Sequence, residues 1–263
     1  MHTGEVVSLK ELETKHCKVL CYPRCEREEL EERVKELERL GVQALEFRGN
    51  NSVFGVPVLG KGCVGVVVVA YTVLGRAALK IRRVDTDREG MFHEGEMLRK
   101  ANLVDVGPKL VEVSENFLLM ELVEGEHFPE WLESVDETED GVRVRLVLKD
   151  VLEQCRRLDE VGLDHGELSN AYKHIIVDSD DVPHLIDFET ASVNRKASNV
   201  TAVSQYLFLG SQIADKTKRF LGKVDDKRLI EVLRGYKQKQ TKENFEKILQ
   251  TAKLQKALAK RLL

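Results

Sequence analysis

A glycine-rich segment, LGKGCVGVVVVAYTV, constrains the fold more than any other part of the sequence. Gly60, Gly62 and Gly65 form a G-x-G-x-x-G-x-V pattern. In a dinucleotide-binding fold the last glycine of such a pattern opens a helix. Here it precedes a run of valines, whose β-branched side chains favour a strand. We therefore predict a strand, a glycine loop and a second strand, a hairpin whose amides can lie over phosphate groups.

A lysine on the next strand would extend this phosphate site. The segment AALKI supplies Lys80, and a lysine there could hold the phosphates of a nucleotide. Such a lysine needs a carboxylate from the following helix to position it. Glu94 is the candidate, and Glu96 would point to another helix face. The simpler alternative is an exposed lysine on a strand.

The segment HGELSNAYKHIIVDSDDVPHLIDFE contains a second set of candidate residues. Asp187 follows an apolar strand and precedes Phe188, which is the placement of a magnesium ligand in kinases. Glu167 lies upstream of the strand pair and could orient an attacking hydroxyl. His165 is predicted to pack beneath the Asp-Phe unit rather than to act as a base. The alternative is a polar turn between two buried strands.

Periodicity predicts strands mainly in the first half of the chain and helices in the second. The fold class is therefore α+β, in a two-lobed layout with a small N-terminal α/β extension and a compact helical C-lobe. The predicted domains are 1–50, 51–123 and 124–263. Within the extension, CKVLCY is predicted to be a short strand, and a helix is predicted over 26–40.

Taken together, the motifs LGKGCVGVV, ALKI, HEGEML, LLMELVEG, HGELSNAYKHIIV and LIDFE resemble the atypical protein-kinase-like superfamily. Within this superfamily the sequence resembles the RIO kinases and the kinase of the tRNA threonylcarbamoylation complex. It also resembles archaeal RNA kinases that phosphorylate an internal ribose 2′-hydroxyl of tRNA. The resemblance implies that the two lobes form a protein-kinase-like fold. It also implies ATP and Mg²⁺ as cofactors, with catalytic roles for Lys80, Glu167 and Asp187. The residues that it implies for ATP binding are Leu59, Gly60, Lys61, Gly62, Gly65, Lys80, Glu94, Met120, Glu121 and Leu122.

Three features depart from the family pattern. The catalytic aspartate is replaced by Glu167, the following loop is about two residues longer, and His174 replaces the asparagine that holds a second metal ion. The expected metal ligands are Asp187 and His174. Because histidine is a poor ligand for Mg²⁺, Asn170 is the alternative to His174. The chain could be active with altered geometry, could use one metal ion, or could bind ATP without catalysis.

Charge is distributed unevenly along the chain. From Lys216 onward there are 15 Lys/Arg and 5 Asp/Glu, whereas the preceding residues contain 26 and 40. A basic segment of this kind attracts polyanions, although it could equally be a solvated helix that binds nothing. The lysines predicted to lie on one face of the last helix and to contact tRNA phosphates are Lys242, Lys253, Lys256 and Lys260.

The remaining function classes stay open at this point. No proline follows Pro183, so the Ala-Pro-Glu element of peptide-binding kinases is absent. A RIO-like Ser/Thr protein kinase and an ATP-binding, RNA-associated module remain alternatives to a tRNA kinase.

No apolar run reaches the length of a membrane span and no signal pattern opens the chain, so we expect a cytoplasmic protein with no membrane partner. Five cysteines without a framework fit a reducing compartment.

Overall fold

The computed structural model describes residues 4–12, 14–87, 90–136 and 141–255. The chain divides into two compact units, Met1–Arg99 with Pro108–Leu122, and Lys100–Gly107 with Val123–Leu263. Unit 1 is rich in strands and unit 2 is mainly helical. The mixed α and β content and this order of elements confirm the predicted α+β, kinase-like fold class.

Unit 1 is built on a seven-stranded sheet with the order β1-β2-β6-β7-β9-β8, and β5 pairs with β6. The elements of this unit are β1 (Glu5–Ser8), α1 (Leu9–Leu12), α2 (Cys17–Leu20), α3 (Arg27–Arg39), β2 (Val42–Phe47), β3 (Asn51–Val53), β4 (Val56–Val58), β5 (Gly60–Lys61), β6 (Gly65–Thr72), β7 (Gly75–Arg82), α4 (Phe92–Asn102), β8 (Leu110–Val113) and β9 (Phe117–Glu121). Helix α4 continues past the boundary into unit 2.

The N-terminal segment is continuous with this sheet. Strand β2 pairs antiparallel with both β1 and β6. The Arg33 side chain of α3 is completely buried, and its guanidinium donates to Leu20 O at 2.7 Å, Arg82 O at 2.6 Å and Asn116 Oδ1 at 2.9 Å. Since these acceptors lie at or next to the ends of α2, β7 and β9, one charged side chain fixes α3 against three other parts of unit 1.

The prediction of a strand at CKVLCY is wrong, because Cys17–Leu20 form the short helix α2. Val19, Leu20 and Cys21 are all buried. A short apolar run of this kind has no periodicity that separates a buried strand from a buried helical turn. The packing against α3 and the sheet decides the conformation.

The hairpin between β3 and β4 carries an unusual residue at its tip. Phe54 and Gly55 are the two loop residues, with φ of 52° and 80°. Positive φ at both loop positions is typical of a type I′ turn, for which Asn-Gly is the preferred pair. A bulky aromatic residue in the left-handed region is strained, yet 58% of the Phe54 surface is exposed to solvent.

We expect Phe54→Asn to raise the free energy of unfolding by about 1 kcal/mol, because asparagine tolerates the left-handed conformation better than phenylalanine does. Because the Phe54 ring is largely exposed, the change removes little buried apolar surface apart from its edge contact with Tyr22. Urea unfolding of the wild type and the variant measures the difference. A clear loss of stability would show instead that the Phe54 ring is required for folding.

Unit 2 combines helices with a three-stranded sheet of order β10-β11-β12. Its elements are β10 (Gly125–His127), α5 (Phe128–Ser134), α6 (Gly141–Glu160), a 3-10 helix (Leu168–Lys173), β11 (Ile175–Asp178), β12 (Pro183–Leu185), α7 (Asn199–Phe208), α8 (Gln212–Leu221), α9 (Asp226–Gln238) and α10 (Lys242–Thr251). The long helix α6 buries Val144, Leu148, Val151, Cys155 and Leu158, the apolar stripe predicted from the sequence. No helix within the described ranges has both the length and the apolar character needed to cross a membrane.

Candidate active site

The glycine loop of unit 1 lies directly over the candidate lysine. Val67 of β6 pairs with Lys80 of β7, and Gly60 of β5 pairs with Val67. The loop closes on itself through a bond from Gly62 N to Gly65 O at 2.8 Å. The loop therefore joins two antiparallel strands, as the valine run predicts, and not a strand to a helix.

Gly65 is required because there is no room for a side chain at this position. A Cβ there would lie 2.9 Å from Ile81 O and 3.1 Å from Lys80 Cγ. Neither Gly60 nor Gly62 is crowded in this way, since their closest neighbours would be 3.5 Å and 3.7 Å away. Gly65 therefore allows the stem of Lys80 to pass directly beneath the loop.

We expect Gly65→Ala to lower the free energy of unfolding by about 1–3 kcal/mol, the usual range for forcing an extra carbon into a packed site. The same change should displace Lys80. Thermal unfolding measures the loss, and Gly62→Ala is the matched control for stability because its Cβ makes only ordinary contacts. Equal losses for the two variants would contradict the crowding at Gly65.

Lys80 and Glu94 form a buried ion pair within unit 1. The Lys80 Nζ lies 2.9 Å from Glu94 Oε1 and 2.9 Å from Glu94 Oε2. Only 5% of Lys80 and 3% of Glu94 are exposed. The pairing predicted from the sequence is thus present, and it involves Glu94 of α4. Burying two charges is expensive, and such a pair is often no more stabilising than apolar residues, so its presence favours a functional purpose.

The predicted adenine-contacting residues lie at the end of β9. Met120 is half-buried and pairs in register with Ala78, whereas Glu121 is exposed and pairs with Ala77. The Glu121 amide donates to Lys109 O at 2.8 Å, so it is already engaged within unit 1. Leu122, the last residue of the unit, is half-buried. The Glu121 amide could therefore donate to adenine only if it gave up its hydrogen bond to Lys109 O.

The other residues of the predicted loop have distinct surroundings. Leu59 is half-buried, and its amide donates to Val67 O at 2.9 Å. Lys61 is exposed, and its ammonium lies 4.8 Å from the centre of the Tyr22 ring. Lys61 therefore sits on an aromatic side chain of the N-terminal segment.

Unit 2 brings together the candidate residues of the HGE and IDF segments. One ligand atom each from Glu167, His174 and Asp187 lies within 4.8 Å of the other two. His174 Nε2 is 3.6 Å from Glu167 Oε2, and His174 Nδ1 is 3.9 Å from Asp187 Oδ2. The imidazole thus lies between the two carboxylates. The sequence predicts separate roles for these carboxylates and does not predict that they share one cluster.

Asp187 has a strained backbone, with φ of 69°. Strain of this kind clusters at functional sites, although aspartate tolerates the left-handed region better than most residues do. Two carboxylates suit a hard cation such as Mg²⁺, whereas the imidazole of His174 does not. Asn170, the other predicted ligand, is exposed in the 3-10 helix. Asp187 and Glu167 therefore fit a magnesium site better than Asp187 and His174 do.

His165 packs against the Asp-Phe unit, as the sequence predicts. It is completely buried, and its ring centre lies 4.9 Å from that of Phe188. Its Nε2 lies 3.0 Å from Ile186 O, and because a carbonyl only accepts, Nε2 carries the proton. Burial, together with the electrostatic effect of the neighbouring His174, lowers the pKa of His165 to about 4. His165 is therefore neutral at pH 7 and holds the residue before Asp187.

Buried polar groups also hold the backbone of His165 in place. The amide of His165 donates to Asn199 Oδ1 at 2.8 Å. The Asn199 side-chain amide donates to Asp159 Oδ1 at 2.9 Å and to Leu163 O at 2.7 Å. Tyr236 of α9 donates to Asp159 Oδ2 at 3.2 Å. Burial raises the pKa of Asp159 although its carboxylate also accepts from the backbone amides of Asn199 and Val200, which makes four donors in all. Nothing in the sequence alone marks this network.

Acid should destabilise the protein through His165. Its pKa is lower in the folded state than in the unfolded state, so the unfolded chain binds the extra proton between about pH 6.5 and pH 4. Stability contributed by the neutral ring is present above this window and is lost as the pH falls through it, by about 3 kcal/mol in total. Urea unfolding of the wild type and of His165→Gln across the window measures this, because the variant lacks the titrating group. Parallel stability curves for the two proteins would contradict the assignment.

Of the predicted RNA-contacting lysines, Lys242 and Lys253 do not lie on one helix. Lys242 begins α10, but the helix ends at Thr251 and Lys253 has φ of 61° beyond it. The helical spacing that groups Lys253 with Lys242 is therefore wrong, because the left-handed residue stops the helix. Lys256 and Lys260 lie outside the described residues. The apolar stripe of Phe245, Ile248, Leu249 and Ala252 is buried, as expected.

Comparison with known protein families agrees with this geometry. Residues 76–202, just under half of the chain, match the model of the RIO domain. The match includes Lys80, Glu94, Glu167, His174 and Asp187. It indicates an ATP-dependent kinase or ATPase in general terms. No curated protein matches the chain.

Proposed function

We propose that this protein is an ATP- and Mg²⁺-dependent kinase that transfers the γ-phosphate of ATP to an internal ribose 2′-hydroxyl of tRNA. The observation that carries the kinase assignment is the buried Lys80–Glu94 pair beneath Gly65. A buried lysine held by a carboxylate under a glycine loop is the arrangement that kinases use to hold nucleotide phosphates. The RIO domain match supports the same activity.

The residues of the site have defined roles in this proposal. Gly60, Gly62 and Gly65 cover the phosphates, and Lys80 binds them while Glu94 keeps the ammonium in place. Asp187 would hold Mg²⁺, with Glu167 within reach of the same ion. When bound, Mg²⁺ neutralises charge on the phosphoryl oxygens.

Glu167 has a second role towards the acceptor. Its carboxylate accepts the proton of the attacking hydroxyl and aims the oxygen at the γ-phosphate. The new O–P bond forms as the bond from the γ-phosphorus to the β,γ-bridging oxygen breaks, and ADP leaves with that oxygen. His165 and Asn199 hold the backbone that carries Glu167.

The choice of RNA as acceptor rests on charge. Exposed basic residues continue through α9 and α10, among them Arg234, Lys237, Lys239, Lys242 and Lys247. The described ion pairs in this region, such as Lys218–Asp226 and Arg228–Glu231, lie at the surface and are weak. A row of ammonium and guanidinium groups suits contact with a phosphate backbone without reading of bases.

The test is phosphate transfer from γ-labelled ATP to total tRNA by the full chain. A 2′-phosphate blocks alkaline cleavage of the adjoining linkage, because that cleavage needs the free 2′-hydroxyl. We therefore expect the label in an alkali-resistant dinucleotide and none in a DNA copy of the tRNA. Label only in protein would favour a Ser/Thr protein kinase. Stabilisation by ATP without any transfer would favour an ATP-binding module.

A further inference from the structure

A cluster of aromatic and basic side chains lies on unit 1 beside the glycine loop. It consists of Tyr22, Phe54, Lys18, Lys61 and Arg83, and we call it the aromatic–cation surface. The Tyr22 and Phe54 rings meet edge to face, with centres 5.4 Å apart. Lys61 Nζ and Arg83 Cζ each lie 4.8 Å from the Tyr22 ring centre, and Lys18 Nζ lies 6.0 Å from that of Phe54.

Folding alone does not account for this surface. Phe54 leaves 58% of its surface in solvent and has φ of 52°, at a turn position where asparagine would be relaxed. Lys18 and Lys61 are exposed as well. A strained, exposed aromatic residue next to cations is a reason to look for a ligand.

The charges on this surface favour an anionic partner. The Arg83 guanidinium donates to both carboxylate oxygens of Asp85, from Nε at 2.8 Å and from Nη2 at 2.7 Å. Much of its positive charge is therefore balanced by Asp85. Lys18 and Lys61 make their described contacts with aromatic rings. The surface thus combines an exposed ring face with positive charge, which is the combination that binds unpaired bases and their phosphates.

We propose that this surface binds single-stranded RNA, with one unpaired base stacked on Phe54 and the flanking phosphates held by Lys18 and Lys61. Arg83 also donates to Gly62 O at 3.2 Å, so the surface adjoins the glycine loop. RNA bound here would contact the part of unit 1 that is proposed to cover ATP. The inference extends the proposed function by giving its RNA substrate a second contact, and it rests on that function only in this respect.

Binding of a fluorescent RNA oligomer of about 12 nucleotides to the full chain, followed by anisotropy, tests the inference. We expect Phe54→Asn to weaken binding of the single strand by at least about fivefold, the lower limit for losing one base–aromatic stack. Lys18→Ala with Lys61→Ala should weaken it further and reduce its dependence on salt. The matched control is Leu74→Ala, another exposed apolar residue at a hairpin turn of unit 1, which should bind like the wild type.

Several results would overturn the inference. These are unchanged affinity of Phe54→Asn, equal loss with Leu74→Ala, or equal affinity of the wild type for the single strand and its duplex. Because Phe54→Asn should be at least as stable as the wild type, weaker binding cannot be ascribed to unfolding. If the aromatic–cation surface does not bind RNA, tRNA can still be labelled and the kinase proposal stands. If no phosphate is transferred but Phe54→Asn binds RNA more weakly than the wild type, the kinase proposal fails and the RNA-binding surface stands.

Discussion

Asp187→Asn is expected to reduce phosphate transfer by about a thousandfold or more, because loss of metal-held charge stabilisation costs several kcal/mol. Asparagine keeps the shape of the side chain and tolerates the left-handed backbone, which has φ of 69° at this residue. The fold should therefore survive while the negative charge is lost. Transfer to tRNA is measured at saturating ATP over a series of Mg²⁺ concentrations.

The matched control for this variant is Asp105→Asn. Asp105 is exposed in unit 2 and also has a left-handed backbone, with φ of 53°. It should retain full activity, and both variants should unfold at the wild-type temperature. Wild-type activity in Asp187→Asn would remove Asp187 from the metal site and with it the proposed mechanism in unit 2.

Glu167→Gln should lower kcat by about 10²–10⁴-fold, the range for loss of a general base. The amide cannot accept the hydroxyl proton, although its size is nearly unchanged. Since Glu167 lies in one cluster with His174 and Asp187, its carboxylate could also serve the metal ion. The dependence on Mg²⁺ separates the two roles. A pure base leaves the half-saturating Mg²⁺ concentration unchanged, whereas a metal ligand raises it.

Two further variants sharpen this prediction. Glu126→Gln, at an exposed position of β10, is the control for removal of a surface carboxylate and should have wild-type kcat. Glu167→Asp shortens the side chain to that of the usual family residue. If the longer loop after Glu167 compensates for the longer side chain, the carboxylate of Glu167→Asp no longer reaches the acceptor hydroxyl. Activity then falls. Full activity of Glu167→Gln would exclude proton transfer through this residue.

Much of the candidate site could be predicted because its signals are local. The run of valines after Gly65 disfavours a helix through side-chain sterics, and the glycine pattern predicts a lysine on the next strand, where Lys80 lies. Asp187 is marked by the apolar strand before it and the phenylalanine after it. These inferences need only the neighbours in the sequence and the known geometry of strands.

The rest depends on residues that are distant in sequence. The Asp159–Asn199–Tyr236 network joins α6, α7 and α9, and no local pattern reveals a bond across 77 positions. The same holds for Arg33, which reaches Asn116 across 83 positions. Glu167, His174 and Asp187 become one cluster only when the 3-10 helix and the strand pair fold together.

The sequence by itself determined the α+β class, the strand–loop–strand character of the glycine motif and the choice of Glu94 as the partner of Lys80. Tertiary structure alone decided that Cys17–Leu20 form a helix, that a left-handed Lys253 ends the basic face of α10, and that Phe54 stands beside Tyr22 and Lys18. The physical reason is that steric preferences and periodicity act over a few residues, whereas burial and side-chain contacts depend on which distant segments pack together.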